Sequence, residues 1–243
     1  MGGVATQRQH LSAIRLLFDH LLEKGVVELN PAARAKPPRL ERETSHTPVF
    51  EEDEIKAFLS AIKPDSLMDI RDKALFSVLL YSWARVSAVV ALKVEDYFER
   101  KGTHWLRFKE KRGKIHELPV HSKAKEAIDQ WIAASGLGSS APLFPAFAPD
   151  KKSLAIDKKT GGLRHLDRTG IWKLVQARAK ASGLEKKVCC HSFRATGITE
   201  YLNAEGTIDI AQRIAGHSQL STTQIYDHSK DRVTIAEIER ISF

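Results

Sequence analysis

Near the C-terminal end of the chain, Tyr226 follows a Gly216-His217-Ser218 triplet, and that triplet lies downstream of a His191-x-x-Arg194 pair. Together these residues could supply a phosphate-binding cation, two acid/base groups and a nucleophile. A phenol, with a pKa of about 10, is a poor nucleophile at neutral pH. It becomes a catalyst only where cations stabilise the charge developing on the group it attacks. The sequence places such cations nearby.

The elements that must position these groups are legible from periodicity. Leu11, Ile14, Leu17, Phe18 and Leu21 recur at helical spacing between Val4 and Leu22, and Gly25 is a plausible stop. Between Asn30 and Pro48 the composition shifts to prolines and charges with few large apolar residues, the pattern of a basic linker. Ile55, Phe58, Leu59 and Ile62 mark an amphipathic helix, a more hydrophobic one runs from about Met68 to Trp83, and another is expected near Arg85. Three short segments, VEDYF, WLRFKE and KIHELPV, predict a small antiparallel sheet with a hairpin at Lys111 to Lys114. Ser122 is the expected cap of a helix carrying Ile128, Trp131 and Ile132, and the stretch from Ser135 to Arg164 reads as a long surface loop. Helices follow at about Asp167 to Ala181, Ser192 to Asn203, Ile208 to Ala215 and Ser221 to Tyr226, before the amphipathic tail TIAEIERISF. The class is mainly α with a small antiparallel β-sheet (α+β). No internal repeat supports a solenoid.

Bulk properties narrow the partners. Lys and Arg number 38 against 30 Asp and Glu, a formal charge of +8 that favours a polyanion such as DNA or RNA. No apolar run approaches the roughly 18 residues that span a bilayer, and the N-terminus lacks the apolar core of a secretory signal, so a cytoplasmic protein without membrane contact is expected. Cys189 and Cys190 are adjacent and cannot form a disulfide framework, and with no second ligand cluster at zinc-type spacing they read as packing residues, not metal ligands.

Taken together, YSWARVSAVVAL around Arg85, EKRGKIHELPV around Lys111, HSFR at His191 to Arg194, AGHS through His217, and STTQIY ending at Tyr226 resemble the tyrosine recombinases, the phage-integrase and Xer-type group. The resemblance covers the chain from about Thr47 to Phe243. Only four tyrosines occur in 243 residues, so one at the offset the family requires carries weight. The resemblance implies a catalytic domain at residues 49–243. Residues 1–30 would be the last helix of a truncated core-binding domain and 31–48 a basic Pro-rich linker. With at most one helix of that domain's DNA clamp, affinity is expected to be weak and salt-sensitive.

The implied function is a site-specific DNA recombinase or integrase that cleaves and rejoins strands through a covalent 3′-phosphotyrosyl intermediate on Tyr226. Arg85 and Arg194 would clamp the phosphate, since planar guanidiniums meet phosphate oxygens bidentately. Each can otherwise be a surface ion-pair partner. Lys111, or its competitor Lys114, would protonate the leaving 5′ oxygen. His191 and His217 would donate to non-bridging oxygens or assist proton transfer from the tyrosine, unless they are satisfied structural histidines. Tyr81, Tyr97 and Tyr201 read as core. No metal or cofactor is implied. Double-stranded DNA is the implied partner, met through phosphate contacts from Lys109, Lys111, Arg112, Lys114, the Lys151-Lys152 pair and the Lys158-Lys159 pair. A homo-tetramer on paired sites, exchanging the C-terminal tail between neighbours, is the implied assembly.

Two departures qualify the match. The family usually has a small, glycine-containing approach to the first arginine and an acid three positions after it; here these are Ser82-Trp83-Ala84 and Ala88. Either the missing carboxylate leaves Arg85 less firmly oriented and activity reduced, or another acid such as Glu95 or Asp96 substitutes for it. A non-catalytic DNA-binding descendant and a type IB topoisomerase-like enzyme are the competing readings.

Overall fold

The computed structural model describes residues 3–39, 47–110 and 113–227. The chain divides into two compact units, 1–43 and 44–243. The first contains α1 (Val4–Glu23), which ends where Gly25 takes a left-handed φ of 67°. The beginning of the Pro-rich stretch folds back on this helix. Arg15 Nε donates to the Ala32 carbonyl at 3.1 Å, and the Asn30 amide donates to Asp19 Oδ1 at 2.7 Å. Leu16, Leu17, Val26 and Leu29 are exposed.

The second unit is built from eight helices and one sheet among its described residues. Helix α2 (Glu52–Ser60) opens with a reciprocal capping box between Glu51 and Glu54. Helix α3 (Leu67–Ser82), capped by Ser66, has almost every side chain from Ala74 onward buried, so it runs through the centre. Around it, Phe58 and Phe76 meet edge-on with ring centroids 5.1 Å apart, and Phe76 stacks on Phe193 at 5.4 Å. Helix α4 (Val86–Val90) follows and starts at Arg85.

The sheet is a meander in the order β1-β2-β3, made of β1 (Tyr97–Arg100), β2 (Thr103–Lys109) and β3 (Ile115–Pro119). The first predicted segment starts later than its sequence suggests, because Val94–Asp96 forms a single 3-10 turn in which Asp96 accepts from the Lys93 amide. Lys109 pairs with Ile115, so β2 and β3 join as the predicted hairpin, while Lys111 and Arg112 lie outside the described residues. Helix α5 (Ser122–Ser135) is capped by His121 and not by Ser122: the His121 Nδ1 accepts from the Lys123 amide at 3.2 Å, while its ring stacks on Tyr81.

The segment from Ser135 to Arg164 is not a surface loop. Leu143, Phe144, Ala146 and Ala155 are buried in it, and isolated bridges tie Lys93 to Pro142, Pro145 to His165, Phe147 to Leu154 and Ile156 to Leu163. Two inner groups anchor it further: Trp131 Nε1 donates to the Leu143 carbonyl, and the buried Arg71 donates to that of Pro145 at 2.9 Å. Arg71 is itself paired with the fully buried Asp72, which also accepts from Arg178. Four helices complete the unit: α6 (Arg168–Ala181), capped by Asp167, then α7 (Cys190–Asn203), α8 (Ile208–Ala215) and α9 (Ser221–Gln224). The C-terminal tail from residue 228 on, with its proposed exchange segment, lies outside the described residues. Among those described, no helix is long and apolar enough to cross a membrane.

Candidate active site

Helix α7 sets the first two groups of the site. His191 lies in its first turn and Arg194 three residues on, so one helical face carries both. Arg194 is 2% exposed, and its two Nη groups donate to main-chain oxygens from two distant segments. One Nη donates to the Trp83 carbonyl at the end of α3, and the other donates to the Ala215 carbonyl at the end of α8 at 2.7 Å. Its Nε is buried and makes no hydrogen bond to the described residues. Burial, and then the nearby Arg85, pull this guanidinium down to about 10, with Tyr226 and Glu110 acting in the opposite sense; it remains cationic at neutral pH.

The unusual approach to Arg85 has a structural explanation. Trp83 caps α3 in the left-handed conformation at φ 52°, where glycine is the default. Its indole lies against Gly197 of α7: a Cβ there would fall 2.1 Å from Trp83 Nε1. The same indole meets Tyr201 edge-on at 5.4 Å. Trp83 thus fills a groove that glycine at 197 opens, and its carbonyl is the one that holds Arg194.

Helix α8 ends at Gly216, left-handed at φ 62°, and the turn passes directly into His217. His217 is 8% exposed, and its Nδ1 shares a hydrogen bond with the Thr223 hydroxyl at 2.9 Å. Burial, followed by Arg194, Arg85 and His191, depresses this imidazole to about 3, so it is neutral at physiological pH. The rings of His217 and Tyr226 lie nearly parallel, 8° apart in plane, with centroids at 6.3 Å.

Tyr226 closes the set. It is 3% exposed, packed in a cluster with Trp83, Ala195, Ile198, Ala211 and Ala215, yet its Oη and His191 Nε2 share a hydrogen bond at 2.9 Å. Desolvation, then the charges of Arg194 and Arg85, lower the pKa of His191. A neutral imidazole protonated at Nδ1 can take the phenolic proton through Nε2. The three tyrosines expected to be core are all less buried than Tyr226, and two of them are tied elsewhere: Tyr81 to His121, and Tyr97 to Asp129, to which its hydroxyl donates at 2.7 Å.

Arg85, the N-cap of α4, keeps a side chain 45% exposed beside this group. Its carboxylate partner is neither Glu95 nor Asp96. Glu95 lies 3.4 Å from Lys93, and Asp96 is turned toward Lys109 at 3.4 Å. Glu110, the residue just after β2, meets Arg85 instead: Nη1 donates to Oε1 at 2.7 Å. The sheet is drawn to this spot by a second contact, His116 Nε2 sharing a hydrogen bond with the Ile214 carbonyl at 3.0 Å. Thus Arg85, Arg194, His191, His217 and Tyr226 come together from α4, α7, the turn after α8 and the residues after α9. Lys111, the predicted acid, lies outside the described residues next to Glu110. Of the other expected phosphate contacts, Lys109, Lys114, Lys151 and Lys152 are all exposed. Lys109 is shared with Asp96, and Arg112 is outside the described residues. Cys190 is no reactive thiol, since burial raises it to about 11.

The sequence profile of the phage integrase family matches residues 48–232. A tyrosine recombinase XerC from Thermodesulfovibrio yellowstonii is 30% identical over 224 residues, covering 92% of this chain and 71% of the relative. A tyrosine recombinase XerD from Vibrio cholerae is 30% identical over 226 residues, covering 90% of this chain and 68% of the relative. The fold is shared with a crystal structure of the XerH site-specific recombinase bound to difH substrate in a pre-cleavage complex, at a TM-score of 0.67 and 18% identity; the match takes in 94% of this chain and 63% of that one. The chain belongs to the phage integrase family, the site-specific tyrosine recombinases.

Proposed function

We propose that this chain cleaves and rejoins double-stranded DNA with Tyr226 as nucleophile. The phenolic oxygen attacks the scissile phosphorus, the 5′ oxygen leaves with a proton, and a 3′-phosphotyrosyl ester conserves the bond until another 5′ hydroxyl reverses the step. No net hydrolysis or redox change is involved. The observation that carries the reading is the hydrogen bond between Tyr226 Oη and the neutral His191, formed beside two guanidiniums. His191 takes the phenolic proton. Arg85 meets the phosphorane oxygens directly, and Arg194, cationic and buried beside Tyr226, adds fixed positive charge to the site. His217 is held by Thr223 as a neutral donor. Lys111, or Lys114 on the same hairpin, protonates the leaving oxygen.

DNA is held through its phosphates by Lys109, Arg112, Lys114, Lys151 and Lys152. The XerH structure with its bound substrate supports this partner by analogy of fold. Residues 1–30 serve as the end of a core-binding domain and 31–48 as its linker, and the active assembly is a tetramer that exchanges the C-terminal tail, working in the cytoplasm. The test is a nicked duplex drawn from the DNA that flanks the gene, in which a released fragment traps the intermediate. A covalent protein–DNA adduct is expected, lost in Tyr226→Phe. Failure to form an adduct on any such duplex, with binding intact, refutes the proposal.

A further inference from the structure

Glu110 has no part in the chemistry above, yet it is the carboxylate placed against the catalytic cations. Its side chain is 14% exposed, against 45% for Arg85, so the acid is the more enclosed member of the pair and the guanidinium keeps a solvent-facing surface. It also lies close to Gly216, where a Cβ would sit 3.2 Å from Oε1. The main-chain amide of Glu110 donates to the Lys114 carbonyl at 2.8 Å, which fixes the base of the hairpin from which the carboxylate projects. Meanwhile Ala88, buried in α4, offers no acid on the side of Arg85 where the family pattern places one.

We propose that Glu110 is a positioning residue for Arg85, replacing across the fold the carboxylate that Ala88 lacks. This rests on the reading of Arg85 as a phosphate clamp. The contact engages Nη1 and leaves the Nε and Nη2 edge, a planar fork, to meet a phosphate bidentately. A long, half-exposed arginine would otherwise lose its rotamer freedom at the moment it grips the substrate. It would also be repelled by Arg194, a repulsion that the negative charge of Glu110 offsets, as its opposing effect on Arg194 reflects.

The experiment compares Glu110→Gln, Glu110→Ala and Glu110→Asp in the full chain, measuring single-turnover cleavage of the nicked duplex separately from DNA affinity. The Gln and Ala forms are expected to cleave about 10- to 100-fold more slowly with affinity unchanged or slightly raised, because a negative charge is gone. The Asp form should recover most of the rate, and Ala88→Asp in the Glu110→Ala background should recover part. Faster cleavage in Glu110→Ala would make the carboxylate a block, and unchanged cleavage in all three would leave it without a role; either overturns the proposal. A second arm needs no chemistry. The 15Nε order parameter of Arg85 should fall in Glu110→Gln, and equal order in both proteins overturns the proposal whatever the cleavage result. A wild-type chain that forms no adduct refutes the recombinase reading, while the order parameter still decides the role of Glu110.

Discussion

Thr223 illustrates how a side chain without chemistry of its own supports those that have it. Its hydroxyl is fully buried and is bonded to His217 Nδ1, on the imidazole that lies parallel to the Tyr226 ring. Thr223→Val keeps the shape and removes this partner, leaving a buried ring nitrogen unsatisfied. We expect a cost of about 1–3 kcal/mol, read as a lower urea midpoint with an unchanged slope. An unaltered midpoint would mean that the bond contributes nothing. Thr223 and Glu110 were both illegible in the sequence, for one reason: each is defined by a partner met only in three dimensions, and neither sits at a spacing that chemistry requires. Arg85, His191, Arg194, His217 and Tyr226 were legible because their types and order form a recognisable series. Their burial was not. The sequence marks Tyr81, Tyr97 and Tyr201 as interior, while the structure buries Tyr226 most deeply of the four.

The packing of α3 against α7 turns on the pair Trp83 and Gly197. An alanine methyl at 197 would meet the indole at 2.1 Å and the Leu80 carbonyl oxygen at 2.7 Å, so Gly197→Ala is expected to destabilise by roughly 3 kcal/mol or more. Trp83→Gly relieves a left-handed backbone worth about 1 kcal/mol but empties the place of a buried indole, for about 3–5 kcal/mol of loss. Combined, the two should cost clearly less than their sum, since the methyl then occupies space the indole has left; strict additivity in a denaturant double-mutant cycle would refute the coupling. Helices such as α3 and α6 could be read directly, because a sustained apolar pattern declares itself locally. The 135–164 segment could not. Its buried residues, Leu143, Phe144, Ala146 and Ala155, stand among glycines, prolines and lysines with no period, and its bridges reach distant partners. The cap of α5 falls one residue before the serine that the sequence marks, because a histidine ring nitrogen does there what a serine hydroxyl usually does.

For the molecule as a whole, the neutral histidines make folding sensitive to acid. An imidazole whose folded-state pKa lies below its unfolded value is protonated first in the unfolded chain. The stability it contributes is therefore complete above about 6.5 and is lost as pH falls toward the value near 3 at which His217 itself charges. The loss should amount to a few kcal/mol at most. Thermal melts from pH 7 down to pH 4 should fall more steeply in the wild type than in His217→Asn, and parallel profiles would exclude His217 as the cause. Arg194 carries a different consequence. Because it is a main-chain cross-brace joining the ends of α3 and α8, a lineage that gave up strand exchange and kept only the domain would be obliged to keep this arginine. Its presence in a relative therefore testifies to architecture, and the survival of function has to be judged from Tyr226 and the more exposed Arg85.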